Sequence, residues 1–351
     1  MPRQNEVRGR ATALWMRILG PLLFALFLGI TPASAGFQDG VEAFKLGDYE
    51  TAFDEFNTLA KTGHARAQFN LGVMYLEGRG VTKDIQKAES WFLEAAKQND
   101  GEAQFNLAAL YIARNDKGDA KKAFDWLTRG AEAGDAASQN NLAGFYDRGI
   151  ATTENPKQAA HWYRLAAAQG HAVAQYNLGR LYLQGRGIEA NPNKAASWLK
   201  KSAEQGEPSA QNDLGNLFLR GEGVGQDFVQ AAIWYRRAAL QGDALAQFNL
   251  AGLYDRGEGV PQDTAKALNW YLKAAEQGER NAQHNLGVIY ARADGVKQDL
   301  VMAYKWLSLA ATAGDRDAAH SRDYLKPSLT AGQLKQAEKL IVEWQARHAT
   351  Y

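Results

Sequence analysis

From residue 65 to residue 315 the apolar positions return in a single rhythm. A glutamine with leucine three residues on, and glycine or alanine four on, stands at Gln68, Gln104, Gln139, Gln175, Gln211, Gln247 and Gln283. The step is 36 residues, except for one step of 35 between the second and third copies. Seven residues past each glutamine comes an aromatic: Tyr75, Tyr111, Tyr146, Tyr182, Phe218, Tyr254 and Tyr290. Positions i, i+3, i+4 and i+7 share one face of a helix, so every copy is predicted to open with an amphipathic helix. The small residue at i+4 leaves room for a neighbouring helix to come close.

A second helix is predicted to follow. Asp84, Asp119, Asn155, Asn191, Asp227, Asp263 and Asp299 each stand seven residues before a tryptophan. Asp and Asn are strong N-cap residues, and Pro156 and Pro192 then fall at the first helical position, where a missing N–H is harmless. Alanine recurs four residues past each cap, from Ala88 to Ala303. The tryptophans, Trp91, Trp126, Trp162, Trp198, Trp234, Trp270 and Trp306, are expected to be buried against the adjoining hairpin. Turns such as Gly78-Arg79-Gly80 end the first helix, and Asn99, Gly134, Gly170, Gly206, Gly242, Gly278 and Gly314 end the second, all residues that tolerate a left-handed backbone. The polar residue that follows each of these, as at Asp100, His171 or Glu279, is placed to favour the next helix's N-terminus.

The array has ends. Residues 36–64 hold a degenerate copy, with Gly47-Asp48-Tyr49 at the cap and Glu55 in the tryptophan slot. Residues 316–351 hold capping helices: one from Arg316 to Leu325, stopped by Pro327, and one opened by Thr330 with Gln333 in a capping box. The last carries an apolar stripe of Leu334, Ala337, Ile341 and Trp344. The predicted fold is therefore an all-α superhelical solenoid of seven 36-residue helix pairs with a cap at each end.

Residues 1–35 read as an address. Arg3, Arg8, Arg10 and Arg17 precede an apolar run from Ile18 to Ile30, and Ala33-Ser34-Ala35 closes it. This is the pattern of a secretory signal peptide with cleavage after Ala35. The rival is an uncleaved anchor, but a 13-residue helix spans about 20 Å against a hydrocarbon core of about 30 Å. No later stretch is long and apolar enough to cross a membrane. A periplasmic or secreted protein is expected.

The string Ala-Gln-x-Asn-Leu-Gly-x-x-Tyr-x-x-Gly-x-Gly-Val, then Asp-x-x-x-Ala-x-x-Trp-Tyr-x-x-Ala-Ala-x-x-Gly, resembles the Sel-one-like repeat family, relatives of tetratricopeptide proteins. The copy from Ala246 to Gly278 matches almost throughout, and the likeness covers residues 39–315. The second copy lacks the Gly-x-Gly turn, the third has Ala151 for its second glycine, and the seventh has Ala293 for its first, so those loops are expected to differ in shape. The resemblance implies a superhelix presenting grooves to other proteins, and exported bacterial members that act as adaptors in the cell envelope. A cysteine-rich branch associated with β-lactams is a poor match to a chain with no Cys.

Composition narrows the chemistry. The net charge of +1 gives no basic field for nucleic acid, and no Cys means no disulfide and no thiolate. None of the six histidines has a metal-ligand spacing. The Gly-x-Gly turns lack the strand and the lysine of a phosphate loop. No catalytic residue, cofactor or metal is assigned.

Two columns are candidates for recognition. One residue past the motif glutamines stand Phe69, Phe105, Tyr176, Phe248 and His284, with Val73 and Arg180 four further on; the rival account is that these aromatics pack within the helix pair. The second column, Arg148, Arg220, Arg256 and Arg292, either offsets the dipole of the first helix or forms a ladder for an acidic partner. The expected function is an exported, non-catalytic protein-interaction scaffold for envelope proteins. The alternative is a cell-wall-active or β-lactam-binding hydrolase.

Overall fold

Side-chain caps decide where the helices start. In the computed structural model, which describes residues 32–348 and side chains from Gly36 onward, the Asp84 carboxylate accepts from the N–H groups of Gln86 and Lys87, both at 3.0 Å. Asn155, Asn191, Asp227, Asp263 and Asp299 each accept from the third residue on. The first helices are capped too. Asp100, Asp135, Asp243 and Asp315 accept from backbone N–H groups, and His64 and His171 use Nδ1 at 3.2 Å. Each cap satisfies a donor that a helix cannot pair internally.

Eighteen α-helices result among the described residues, with no strand. They are α1 (Pro32–Leu46), α2 (Tyr49–Lys61), α3 (Ala65–Glu77), α4 (Ile85–Lys97), α5 (Gly101–Arg114), α6 (Asp119–Glu132), α7 (Ala136–Arg148), α8 (Pro156–Ala168) and α9 (Ala172–Gln184). They continue as α10 (Pro192–Glu204), α11 (Pro208–Arg220), α12 (Phe228–Leu240), α13 (Ala244–Arg256), α14 (Thr264–Glu276), α15 (Arg280–Arg292), α16 (Leu300–Thr312), α17 (Arg316–Leu325) and α18 (Ala331–His348), with a 3₁₀ turn at Lys326–Ser328 before the last. The fold is the expected all-α helix-pair solenoid with capping helices. The signal-peptide reading lies outside the described residues, apart from α1 beginning at Pro32.

The chain divides after Ala174 into two compact units. In the first, consecutive helices from α1 through α8 pack on one another. In the second, consecutive helices from α10 through α17 do so, and α18 lies on α16. The capping box forms, with Thr330 N–H donating to Gln333 Oε1 at 2.9 Å and Gln333 N–H to Thr330 Oγ1 at 3.3 Å.

The side chain that fills each hairpin is not the tryptophan but the residue after it. Phe92 in the first unit and Tyr235 in the second are fully buried. Each lies so close to the small residue of its partner helix that a Cβ on Gly72 would sit 2.7 Å from Phe92, and one on Gly215 2.7 Å from Tyr235. The tryptophans correct the expectation: Trp234 and Trp306 are buried, while Trp91, Trp126, Trp162, Trp198 and Trp270 are only partly so. Where Arg or Lys stands one turn on, as at Trp126, Trp198, Trp234 and Trp270, the cation covers the ring. Arg129 stands 4.8 Å over Trp126, Lys201 4.3 Å over Trp198, Arg237 4.4 Å over Trp234 and Lys273 4.2 Å over Trp270.

The buried motif glutamines Gln68, Gln139, Gln211 and Gln247 each tie three consecutive helices together. Gln68 Nε2 donates to the Ala60 carbonyl near the end of α2 at 3.1 Å, and Gln68 Oε1 accepts from Gln98 Nε2 at the end of α4 at 2.7 Å. Gln139 repeats the pattern with Ala131 and Gln169. In the second unit Gln211 joins Ala203 and Gln241, and Gln247 joins Ala239 and Gln277. The amide thus satisfies an orphan carbonyl at one helix end and is itself satisfied by the next.

The second copy departs from the rule. With one residue fewer, Gly118 becomes the N-cap and makes no side-chain bond. Asp119, expected to be the cap, is the first helical residue; it is buried and bound by Arg114 through Nε at 2.8 Å and Nη2 at 2.9 Å. Ala133 also stands where those relays place glutamine, as Ala313 does in the seventh copy, and Gln104 Oε1 is buried without a partner. The third and seventh loops, by contrast, keep the left-handed shape despite their alanines, with φ +57° at Ala151 and +63° at Ala293.

Two outcomes follow from this joint. Ala133→Gln should supply the missing donor and raise stability by about 0.5–1.5 kcal/mol, read as a shift of the urea midpoint. The Arg114 guanidinium holds the Asp119 carboxyl down from 3.8 to about 2. A lowered folded-state pKa gives stability that is present above the ordinary carboxylate range and lost as pH falls through the folded value. Asp119→Asn should therefore melt below the parent at pH 7, with the gap closing towards pH 2.

Candidate protein-binding face

The column that follows the motif glutamines lies at the seam between a repeat's own second helix and the next repeat. A ring at that position can reach into the seam. Phe69 does so: it is 3% exposed, with its centroid 5.7 Å from that of Phe92. Val73 is buried in the same cluster, and Phe105 packs partly against it. In the second unit the Phe248 ring lies 5.8 Å from Tyr271. Phe69 and Val73, expected on a binding face, are therefore core residues, because the aromatic finds more apolar surface inside than outside.

The polar members of the column behave differently. His284 Nδ1 lies 3.0 Å from Asp315 Oδ2 and links α15 to the cap of α17. Asn212 Oδ1 accepts from Asn249 Nδ2 at 2.9 Å, across neighbouring repeats. Tyr176 stays partly buried, with the exposed Arg180 guanidinium 5.7 Å from its ring centroid. Of the arginine column, Arg148 Nε donates to the Gly144 carbonyl within its own helix at 3.2 Å, and Arg256 pairs with Glu258 at 2.8 Å. Arg220 forms no ion pair among the described residues.

One break in the repeat sits in the middle of this surface. Two residues past the motif glutamine stands Asn70, Asn106, Asn141, Asn177, Asn249 or Asn285, but in the fifth copy Asp213. The asparagine donates to the carbonyl four residues back where Asn106 meets Glu102 and Asn141 meets Ala137. A carboxylate cannot make that bond. Asp213 instead takes the Tyr176 hydroxyl and the Asn212 amide as partners, beside Arg180, and burial pushes its carboxyl above the usual range. Burial and the Asp213 charge together push the Tyr176 hydroxyl up to about 12. A cavity of about 140 Å³ adjoins this group, lined by Arg180, Leu183, Asp213, Asn216, Leu217 and Arg220 among others. The sequence reading named Tyr176, Arg180 and Arg220 without joining them and passed over Asp213, although the broken asparagine column was visible.

Among the described residues no group of three or more His, Asp or Glu side chains could hold a metal ion, and no helix is long and apolar enough to cross a membrane.

The Sel1 repeat matches seven consecutive stretches: residues 65–100, 101–135, 136–171, 172–207, 208–243, 244–279 and 280–315. The chain belongs to the Sel1 repeat family. A Sel1 repeat protein from Oxalobacter formigenes is similar over 92% of both chains, at 29% identity and a TM-score of 0.64. DAP3-binding cell death enhancer 1 of Rattus norvegicus is 43% identical over 49 residues, covering 14% of this chain and 10% of that protein. The putative sel1-like repeat-containing protein L18 of Acanthamoeba polyphaga mimivirus is 39% identical over 66 residues, 16% of this chain and 11% of that one. The chain thus spans about a tenth of the length of these curated relatives, and what it shares with them is the Sel1 repeat. Sel1 repeats generally mediate protein–protein interaction.

The placement of Phe69 gives a direct check. Phe69→Ser should cost about 3–5 kcal/mol of stability in urea unfolding followed by circular dichroism, since it truncates a buried ring and leaves a hydroxyl in its place. Arg180→Ala, at an exposed position, should change stability by no more than about 0.5 kcal/mol.

Proposed function

We propose that the protein is a non-catalytic interaction scaffold that works outside the cytoplasm and docks proteins of the cell envelope. The observation that carries this reading is the division of labour within each repeat. The cap, the alanine, the glutamine and the residue after the tryptophan repeat from copy to copy and are absorbed in holding the helices together. The columns of Tyr176 with His284 and of Arg180 change from copy to copy, the asparagine column breaks once at Asp213, and these four side chains are exposed or half-buried on the first helices. A repeat that varies its outward residues over a fixed interior presents a different chemical face at each step, which is how helical-repeat proteins recognise extended partners. Export is supported by the arginine-led apolar run of residues 3–30 and the Ala33-Ser34-Ala35 end.

Expressed from its full sequence in a Gram-negative host, the protein should be recovered outside the cytoplasm with Gly36 as its first residue, as read by N-terminal sequencing. Crosslinking in the intact envelope, with mass spectrometry of the products, should yield the same discrete protein partners in replicate. Retention in the cytoplasm would overturn the export reading. Turnover of peptidoglycan or a β-lactam that a single substitution abolishes would replace the scaffold with the hydrolase.

A further inference from the structure

We infer that the cavity between α9 and α11 is a pocket for one carboxylate group of a partner's peptide chain, held by Arg180 and Arg220. This deepens the scaffold reading and rests on it. Four features of the second unit support it. The first is the pair of guanidiniums: both line the cavity, both are exposed, and neither has an ion-pair partner among the described residues. An arginine without an ion pair at a surface is unremarkable singly, but two on one small cavity form a two-armed donor for an anion, beside the lining carboxylates of Asp213 and Glu222.

The second feature is a fixed neutral donor. Asn216 also lines the cavity, and its Oδ1 accepts from the buried Tyr235 hydroxyl at 2.8 Å. With the oxygen occupied, the amide is oriented and its Nδ2 is left to donate. The third feature concerns the acids nearby. Asp213 is half-buried, takes the Tyr176 hydroxyl and the Asn212 amide as partners, and is also attracted by Arg180. Glu222 is the other carboxylate of the lining. Neither lies within 4.0 Å of Arg180 or Arg220 as an ion pair; Arg180 donates one hydrogen bond to the Tyr176 hydroxyl, and its other donors and those of Arg220 are left for a ligand.

The fourth feature is size. About 140 Å³ is below the roughly 300–1,000 Å³ of pockets that enclose a drug-sized molecule. At about 30 Å³ per water-sized group it admits about five heavy atoms, the size of an acidic side chain or a chain terminus. Leu183 and Leu217 supply apolar wall for the carbons behind the carboxylate.

The test uses the full chain and three short peptides: acetyl-Ala-Glu-Ala-amide, acetyl-trialanine with a free carboxylate, and acetyl-trialanine amide. The Nε resonances of Arg180 and Arg220 are followed by NMR, assigned through Arg180→Met and Arg220→Met. Both resonances should shift saturably with at least one of the two acids and stay still with the amide. Whichever acid saturates at lower concentration identifies a side chain or a chain terminus as the source. Arg180→Met should weaken the tighter acid at least about tenfold with the helical circular dichroism unchanged, and Arg180→Lys should recover part of that loss. Shifts that are absent with both acids, equal with the amide, or unaffected by Arg180→Met would overturn the pocket. If the envelope crosslinks persist while both acids are ignored, the pocket fails and the scaffold stands. If the acids bind and no crosslink forms, the scaffold fails instead.

Discussion

A helix leaves its last carbonyls without partners, and an array of short helices creates that problem at every joint. Here the answer is a buried amide. Gln68 donates to the end of the helix before it and accepts from the end of the helix after it, so one side chain satisfies polar groups on three elements. The bond is made where water is excluded, and there the alternative to pairing is the full desolvation penalty of an amide, about 1–3 kcal/mol. A helix that slid or rotated within the stack would break two such bonds at once. The relay therefore fixes register, while the apolar contacts, which are indifferent to small displacements, supply the bulk of the stabilisation.

The second copy shows the same constraint by its failure. Ala133 in the glutamine slot leaves the Gln104 amide half-satisfied, and the shortened loop before α6 has no aspartate cap. The joint compensates electrostatically: Arg114 binds Asp119 with two nitrogens and Glu89 with a third, at 2.7 Å. A clasp between charges stands at this joint, and it brings a dependence on protonation.

Much of this was legible in the chain. Asp and Asn before each second helix announced its start because their side chains can do little else at that spacing, and the left-handed glycines announced the ends. The core was harder to read. Trp91 through Trp270 and the residues after them are both large and apolar, and which of two adjacent positions faces inward depends on a rotation of about 100° that periodicity alone does not resolve. Phe69 looked available for the same reason. The glutamine relay was hidden because its two halves, such as Gln211 and Gln241, stand on different helices and each looks like an ordinary polar residue. Asp213 was the opposite case: a departure from a column of asparagines, plain in the sequence, whose meaning needed the positions of Tyr176, Arg180 and the cavity.

Gly223 has a further consequence. Its backbone is left-handed, with φ +71°, and a Cβ there would overlap the carbonyl of Pro192 in the preceding repeat. The turn is thus pressed flush onto the start of its neighbour and has no slack in which to store an extra residue. Changes of length by whole units preserve this contact, and the one-residue loss in the second copy falls where the Gly-x-Gly turn is itself missing. Gene duplication is then its natural mode of growth.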